Sequence, residues 1–387
     1  MTPAPDARTQ PGRRAASVEV VVIGGGVIGA AAAWQLARRG HDVLVLEKDE
    51  LGHPRVTSHG ATRIYRQSHT SPAQVELAVE SLHRWRELEH ETGAALLHLT
   101  GGIDHGDPVR TAAVAASLAA HGIRHQWLEP AEASRLWPGL RFDGPVLHQP
   151  DSAGRLRADQ AVAALTAAAI GRGATVRHST PVERVDVLDD DLAEITIPGG
   201  TIRARRVVLA AGAWTAGLIG DLVALPALRV TEEQPTIFRP VGATPCVVGD
   251  VRWPTLIHHI GPAQGWPASV YGIGVPGVGV KVAFRGTGPD WQPDVRDPRP
   301  EPAQLSRLQR YVEHYLPGLD ATDPAPRSCT FVSTPDAGFL VDRTGPLVVA
   351  AGFSGHGFAV APALGRMVAD LSADAPTART LSPAASR

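Results

Sequence analysis

Three glycines and one acidic residue near the start of the chain have the spacing of a dinucleotide-binding turn. Gly24, Gly26 and Gly29 form a G-x-G-x-x-G pattern, and Glu47 follows about 20 residues later. The first glycine permits a tight turn, the second lets the backbone approach a pyrophosphate, and the third lets a helix pack against a strand. A carboxylate at the position of Glu47 accepts hydrogen bonds from ribose hydroxyls. These residues predict that an adenosine dinucleotide binds here, either NAD or FAD.

A strand, a helix and a second strand must position these residues. Residues 18–23 are mostly apolar and β-branched, which predicts a strand that ends at the glycine turn. The turn leads into a helix, and a second apolar strand ends at Glu47. A glycine pattern alone usually marks an ordinary turn, but the complete unit favours nucleotide binding.

Length and composition indicate a two-domain enzyme and argue against several other classes. The 387 residues exceed one ordinary domain. The 37 Lys and Arg nearly balance the 39 Asp and Glu, and no basic run contains aromatic residues, so nucleic-acid binding is not expected. The cysteines, Cys246 and Cys329, are too few for a disulfide framework or a cysteine-rich metal site, so no metal is expected. No run of about 18 apolar residues predicts a membrane span.

Both ends of the chain, residues 1–16 and 373–387, are predicted to be disordered tails. Arg13 and Arg14 precede an apolar stretch, which superficially resembles a twin-arginine leader. That stretch is the first strand of the dinucleotide unit, and cleavage would destroy it. Two cysteines are compatible with a reducing cytoplasm, which is the expected compartment.

The rest of the chain predicts a mixed α/β fold, with a Rossmann-like nucleotide-binding domain and a second, sheet-rich substrate domain. Helices are predicted at residues 72–91, 108–120 and 157–170, and a further apolar strand at 206–214. The runs ATVRHS, PVERVDV, AEITI and TIRAR predict a small β-meander, and Pro and Gly interrupt short strands over residues 226–324. The first domain is assigned to residues 17–93, 152–224 and 326–372, and the second to 94–151 and 225–325.

Several motifs follow one another in a distinctive order. After the glycine unit come SHGATRIYR at 58–66, LAAGAW at 209–214, Lys281 in GVGVKVAF, Cys329 in RSCTF and AAGFSGHGF at 350–358. This order, over about residues 18–372, resembles the monomeric sarcosine oxidase and N-methyltryptophan oxidase family of the D-amino-acid-oxidase-like superfamily. These flavoenzymes oxidise the carbon–nitrogen bond of secondary amines, pass the electrons to dioxygen and release hydrogen peroxide. The resemblance implies FAD rather than NAD.

The resemblance also implies roles for individual residues. Cys329 matches the position at which the family tethers the flavin through an 8α thioether; the alternative is a buried cysteine acting as a small hydrophobe. Arg63 is expected beside the flavin, and Arg66 on the substrate carboxylate, which a guanidinium binds through two parallel bonds. His59 is expected near the flavin ring, and Tyr271 matches an aromatic residue of the pocket. Without the motif, ordinary solvated arginines would be the default interpretation.

Lys281 is one of only two lysines in the chain. An ammonium concentrates its charge at a point, close to where superoxide develops beside the reduced flavin, whereas a guanidinium spreads it. The alternative is a surface lysine on a strand, but the flanking residues 278–284 are mostly apolar. The pattern favours a role in the reaction with oxygen.

Further residues are predicted to contact the cofactor. A helix that begins near Phe358 would direct the positive end of its dipole at negative charge on the flavin, although His356 is also explained as a structural turn residue. The complete set adds Lys48, Thr62, Val182, Gly212, Trp214, Gly352, Ser354, Gly355, His356, Gly357 and Phe358 to the residues already named.

Two departures from the family concern the substrate. The residue after GFSGHGF is typically a lysine that shares the substrate carboxylate, and here it is Ala359. Arg285 stands where sarcosine oxidases carry a histidine, and the acidic pair Glu232 and Glu233 falls in a stretch expected to line the pocket. Either Arg285 supplies the second bond, or the substrate is larger, differently placed or not a simple amino acid.

The protein is predicted to be a monomeric FAD-dependent oxidase whose substrate is a secondary or cyclic amine other than plain sarcosine. The amine transfers hydride to flavin N5 to give an imine, and dioxygen reoxidises the flavin. One alternative is an imino-acid oxidase or dehydrogenase that desaturates a cyclic intermediate of secondary metabolism. Another is a redox-silent FAD-binding scaffold, which Lys281 and Cys329 argue against. A flavin monooxygenase would need NAD(P)H and a C-terminal Gly-Asp turn that GFSGHGF does not provide.

Overall fold

The helices follow the sequence pattern closely. A computed structural model describes residues 16–50, 53, 57–220, 222–242, 253–292 and 300–373. The predicted helices at 72–91, 108–120 and 157–170 are confirmed to within one residue at each end. Cys246 and, except for residues 16 and 373, both predicted tails lie outside the described residues. The helices are α1 (Val27–Arg38), α2 (Pro72–Thr92), α3 (Pro108–Ala120), α4 (Pro130–Leu136), α5 (Ala158–Gly171), α6 (Thr215–Ile219), α7 (Pro302–Tyr315) and α8 (Ala361–Ser372).

The strands are short and numerous. They are β1 (Ala16–Ile23), β2 (Val43–Leu46), β3 (Thr62–Arg66), β4 (Leu97–His98), β5 (Gly102–Gly106), β6 (Gln126–Leu128), β7 (Val146–Gln149), β8 (Ala153–Arg157), β9 (Thr175–Arg177), β10 (Arg184–Asp189), β11 (Leu192–Ile197), β12 (Gly200–Leu209), β13 (Arg229–Glu233), β14 (Thr236–Pro240), β15 (Thr255–His259), β16 (Val270–Val275), β17 (Gly279–Phe284), β18 (Leu319–Pro326), β19 (Cys329–Ser333), β20 (Leu340–Thr344) and β21 (Leu347–Ala351). The predicted mixed α/β fold is confirmed, whereas the proposed domain boundaries stay a prediction.

The first large sheet contains the glycine unit. Its strand order is β10-β11-β12-β1-β2-β9. In addition, β21 pairs with β12, and β20 pairs with β21. Strands β12, β1, β2 and β9 run parallel, as does β21 beside β12. Alternate residues of β1 enter two cores, Val20 and Val22 on the side of α1, α2, α5 and α8, and Val21 and Ile23 on the other. Burial on both faces explains why β1 is almost continuously apolar.

One part of the strand prediction is wrong. The runs PVERVDV, AEITI and TIRAR form the antiparallel meander β10-β11-β12, but ATVRHS forms β9, which pairs with β2 at the opposite edge of the sheet. The helix α5 that precedes β9 packs against α1 on the face of the sheet. A chain returning from such a helix enters the sheet as a parallel strand rather than as part of a hairpin.

The second large sheet forms one wall of the functional site. Its order is β18-β14-β17-β16-β15-β5-β7-β6, and α7 packs against one of its faces around Phe238, Val282 and Tyr311. Side chains alternate between the two faces of a strand. Ile237 and Lys281, which directly precede Phe238 and Val282, therefore lie on the opposite face of the sheet. This face lies opposite the three-stranded sheet β3-β8-β4, in which β3 is formed by the last five residues of SHGATRIYR.

The described helices include none with the length and hydropathy needed to cross a lipid bilayer.

Candidate active site

A cavity of about 530 Å³ lies where several parallel strands of the first sheet end. It is lined by residues at the carboxyl ends of β1, β2 and β21 and by the turn after β12. Ligands of open α/β sheets bind in this position, outside the carboxyl ends of the strands. We refer to it as the cofactor cavity.

The glycine turn between β1 and α1 leaves no room for side chains. A Cβ atom on Gly29 would lie 1.8 Å from the carbonyl oxygen of Gly24, so only glycine lets α1 approach the strand this closely. Gly24 itself has a φ of +102°, a conformation that L side chains rarely adopt. Gly26 precedes the first residue of α1, and this helix end lies at the cavity, with the Val27 N–H donating to the Ser58 hydroxyl oxygen at 3.0 Å. The turn therefore fits a pyrophosphate at a helix N-terminus.

Glu47 completes the dinucleotide unit. Its carboxylate accepts hydrogen bonds from the backbone N–H groups of Gly25 and Asp49, which fix it at the edge of the cavity. The ammonium of the adjacent Lys48 lies 4.7 Å from the ring centroid of Trp214, a cation–π distance. A carboxylate, an amide-rich helix end and a small-residue turn are the groups that an adenosine dinucleotide needs, so the residues present fit FAD.

Most of the predicted cofactor residues line this cavity. They are Gly24, Gly26, Glu47, Lys48, Arg63, Val182, Gly212, Trp214, Cys329, Gly352, Ser354, Gly355, Gly357 and Phe358. Gly29 lies beneath it, and Thr62 and His356 line a neighbouring cavity instead. The helix predicted near Phe358 begins three residues later, at Ala361, because the residues between them form turns.

A second cavity of about 430 Å³ adjoins the first. The two share lining residues, which are Arg63, Cys329, Phe331, Gly355 and Phe358. A ring system held in the cofactor cavity would therefore face the second space, which we call the substrate cavity. Cys329 is half-buried on β19 at the junction, and it is the free cysteine among the described residues.

One wall of the substrate cavity is apolar. Ile237, Ile257 and Ile273 project into it from β14, β15 and β16 of the second sheet, and Ile64 projects from β3. The register places Ile237 and Ile273 directly on either side of Lys281. We call these four residues the isoleucine wall. It was not predicted because it needs β14 to pair with β17 and β3 to face the second sheet, which are contacts between distant segments.

Lys281 lines the substrate cavity and connects the second large sheet with the three-stranded sheet. Its Nζ donates a hydrogen bond to the carbonyl oxygen of Thr62 at 2.6 Å, which joins β17 to β3. Burial, reinforced by the charge of Arg63, lowers the pKa of Lys281 to about 7. The side chain can therefore change its charge near neutral pH, as a residue of a reaction centre can.

The opposite end of the substrate cavity carries arginines and histidines. The Arg285 guanidinium donates to the carbonyl oxygen of Ser354 at 3.2 Å and to Nδ1 of His356 at 2.8 Å. The ring of His356 meets that of His69 edge to face, with centroids 5.7 Å apart. Arg66 lines the same end and donates to the carbonyl and hydroxyl oxygens of Ser68. His69 was missed in the sequence, although it follows Arg66 by three residues in the same polar segment.

Several other predicted residues occupy the edges of this site. Tyr271 lines the substrate cavity, and burial raises the pKa of its hydroxyl. His59 is exposed at the rim, with its Nδ1 3.6 Å from a carboxylate oxygen of Asp159. Ala359 lines the cavity and its carbonyl accepts from the Trp85 indole at 2.8 Å.

The prediction that Glu232 and Glu233 line the pocket is wrong. Neither glutamate lines either cavity. The buried Glu233 carboxylate accepts from the Thr231 hydroxyl and from the backbone N–H groups of Thr287 and Gly288. Glu232 accepts from the Ser328 hydroxyl. The two carboxylates thus connect β13 with neighbouring segments rather than binding a ligand.

Over nearly its whole length the chain is similar to known FAD-dependent oxidoreductases. The model of the FAD dependent oxidoreductase family matches residues 19–371. The peroxisomal sarcosine oxidase of Mus musculus is 30% identical over 94% of this chain and 94% of its own. The monomeric sarcosine oxidase of Streptomyces avermitilis is 31% identical over 94% of this chain and 95% of its own.

A solved structure has the same fold. The open form of NikD, described as an unusual amino acid oxidase essential for nikkomycin biosynthesis, superposes with a TM-score of 0.81 at 30% identity. The match covers 95% of this chain and 98% of that one.

Proposed function

Since the chain belongs to the FAD dependent oxidoreductase family and is an FAD-dependent amine oxidase acting on carbon–nitrogen bonds, we propose that its substrate is a secondary or cyclic amine. When bound, FAD would accept a hydride from the amine carbon and pass the electrons to dioxygen, which gives an imine and hydrogen peroxide. The observation that carries this proposal is the pair of adjoining cavities, one fitted to FAD and the other lined by cations and isoleucines.

The charged residues that line the substrate cavity influence whether a bound amine is protonated. Asp159, at the exposed rim, is the acidic side chain among the described residues that line it. The cationic side chains that line it include Arg63, Arg66, Lys281 and Arg285. Positive surroundings disfavour a protonated amine, so we propose that the amine reacts in its neutral form. A substrate lying on the isoleucine wall would exclude water from the same space.

Lys281 is proposed to assist the reaction with oxygen. Its charge lies beside Arg63 and Cys329, both of which line the two cavities. At about 5 Å and an effective dielectric constant of about 20, a unit charge attracts a developing superoxide by about 3 kcal/mol. Dioxygen is therefore the proposed acceptor.

We further propose that Cys329 holds the flavin covalently. The purified protein should then be yellow and stay so after denaturation in acid or detergent, and its intact mass should exceed that of the chain by one FAD. Cys329→Ser should release the flavin on denaturation, whereas Cys246→Ser, which removes the other cysteine, should not. The position of Cys329 at the junction of the cavities supports this expectation. A wild-type flavin that washes out in acid would contradict the tether but not FAD binding.

A second candidate is an oxidase or dehydrogenase that desaturates a cyclic imino acid in secondary metabolism. The similarity to NikD and the size of the substrate cavity, about 430 Å³, favour it. The yield of peroxide and the structure of the product would separate the two. A redox-silent FAD-binding scaffold would bind flavin that no amine reduces, so anaerobic reduction by a panel of amines tests the main proposal.

We also propose that the protein acts as a monomer in the cytoplasm. Bacterial relatives described as monomeric sarcosine oxidases support the first part. The molar mass in solution tests it.

A further inference from the structure

Two guanidinium groups at one end of the substrate cavity have no carboxylate opposite them. Arg66 and Arg285 both line this end, and within the described part of the chain neither forms an ion pair. The charge of Asp104 reaches Arg66, but its carboxylate is occupied by the His259 ring at 2.8 Å and the Gln149 amide at 2.9 Å. The charge of Glu233 reaches Arg285, but its carboxylate accepts from the Thr231 hydroxyl and two backbone N–H groups. Since no carboxylate of the described residues contacts either guanidinium, this end of the cavity carries a net positive charge.

This charge is costly in the absence of an anion. Burial, followed by the charge of Arg66, lowers the pKa of Arg285 to about 9, well below the usual range of arginine. Two half-buried cations repel each other and have lost part of their hydration. A carboxylate placed between them would restore balance and could accept hydrogen bonds from both.

His356 offers a donor rather than an acceptor to such an anion. Arginine can only donate, so Nδ1 of His356 must accept the Arg285 hydrogen bond and its proton must lie on Nε2. Burial and the charges of Arg285 and Arg66 keep the pKa of His356 well below its usual value, so the ring is neutral. His356 thus fixes the direction of Arg285 while its own N–H remains available.

The remainder of the cavity is suited to an apolar group. The isoleucine wall lies on the second sheet and β3, and Val275 extends it along β16. A cavity of about 430 Å³ lies within the usual range for drug-sized ligands. A small polar amine would leave most of this wall uncovered.

We propose that Arg285, oriented by His356, forms with Arg66 a two-arginine site for the substrate carboxylate, and that the body of the substrate is an apolar group lying on the isoleucine wall. Arg285 thereby supplies from β17 the second cation that Ala359 does not supply. Arg285 is a specificity-determining residue, and the substrate class is an amine with a carboxylate and an apolar body. This inference rests on the proposed amine oxidase function.

Binding of matched ligands to the flavin-containing enzyme tests the inference. Cyclohexanecarboxylate and cyclohexanecarboxamide have the same shape and differ in charge, and their dissociation constants can be read from changes in the visible flavin spectrum. The carboxylate should bind at least about tenfold more tightly than the amide, and more tightly than acetate. Arg285→Gln should weaken carboxylate binding about ten- to a hundredfold and change amide binding by less than about threefold.

Two further variants serve as controls. Arg110, an exposed residue of α3 whose charge also reaches Arg66 and Arg285, is the matched arginine. Arg110→Gln should change carboxylate binding less than about twofold at 0.15 M salt, because exposed charges are screened. Arg285→Lys keeps the charge but loses the planar fork, so it should weaken carboxylate binding severalfold. If Arg285→Gln does not fold, carboxylate binding by Arg285→Lys tests the inference in its place.

Equal binding of carboxylate and amide to the wild-type enzyme would overturn the inference. So would folded Arg285 variants that bind the carboxylate as tightly as the wild type does. Because binding needs no turnover, the outcome is separate from the proposed function. An enzyme that binds the carboxylate through Arg285, but whose flavin no amine reduces, would refute amine oxidation and leave the anion site standing.

Discussion

Replacing Lys281 with methionine is expected to slow reoxidation of the reduced flavin by dioxygen on the order of a hundredfold. Reduction by the amine should fall much less, because the ammonium stabilises charge that develops only when an electron reaches oxygen. Methionine keeps the length and apolar character of the lysine stem, so the variant removes mainly the charge. Rapid-mixing measurements of the two half-reactions separate these effects.

The dependence of the oxygen reaction on pH gives a second readout for Lys281. Burial, with the charge of Arg63, lowers the pKa of its ammonium to about 7, so the charged form is lost as the pH rises through that region. The wild-type reoxidation rate should therefore decrease with rising pH, and this decrease should be absent in Lys281→Met. Lys281→Arg keeps a cation but spreads its charge, and it should lie between the two. Equal losses in both half-reactions would mean that the Lys281 bond to the Thr62 carbonyl is only structural.

Sarcosine is expected to be a poor substrate, roughly ten- to more than a hundredfold less efficient than a bulkier secondary or cyclic amine, because it buries much less apolar surface. The alanine at position 359 leaves the volume of a lysine side chain unfilled, so the cavity is too wide for a small amine even though Arg285 can bind its carboxylate. A small amine also leaves the isoleucine wall uncovered. Comparison of kcat/KM for sarcosine and for larger N-methyl and cyclic amino acids measures this difference.

The variant Ala359→Lys fills the volume that the alanine leaves open. It should raise kcat/KM for small N-methyl amino acids and lower it for the preferred bulky amine, because the new side chain adds a cation and occupies space. Ala359→Leu, which adds volume without charge, is the control and should lower the activity on the bulky amine only. If the wild-type enzyme turned over sarcosine as efficiently as its best substrate, the enlarged cavity would be contradicted.

The residues that could be predicted from the sequence are those whose roles depend on local geometry. The glycine turn, its two strands and Glu47 form one continuous unit, so their spacing alone specifies how they meet. Helix ends were predictable for a similar reason. Proline near the first position of α2 and α3, and glycine after α2, act within a few residues of chain.

The features that could not be predicted depend on contacts between distant segments. The bond from Lys281 to Thr62 spans 219 residues, and the isoleucine wall exists only because β14, β17, β16 and β15 pair in one register. The assignment of ATVRHS to the meander failed because β9 and β10 share an alternating pattern, whereas tertiary packing decides which edge each one joins. An acidic side chain such as Glu233 is typical of a binding pocket. Here its carboxylate instead accepts hydrogen bonds from the backbone N–H groups of residues 287 and 288.

The measurement that tests the central proposal most directly is anaerobic titration of the purified flavoprotein with a panel of amines. The panel should include sarcosine, larger N-methyl amino acids, cyclic imino acids and matched amines without a carboxylate. At least one bulky secondary or cyclic amine should bleach the flavin absorbance, and admission of oxygen should restore it with one hydrogen peroxide formed for each imine. If dithionite reduced the flavin but no amine in the panel did, the assignment as an amine oxidase of this substrate class would be contradicted.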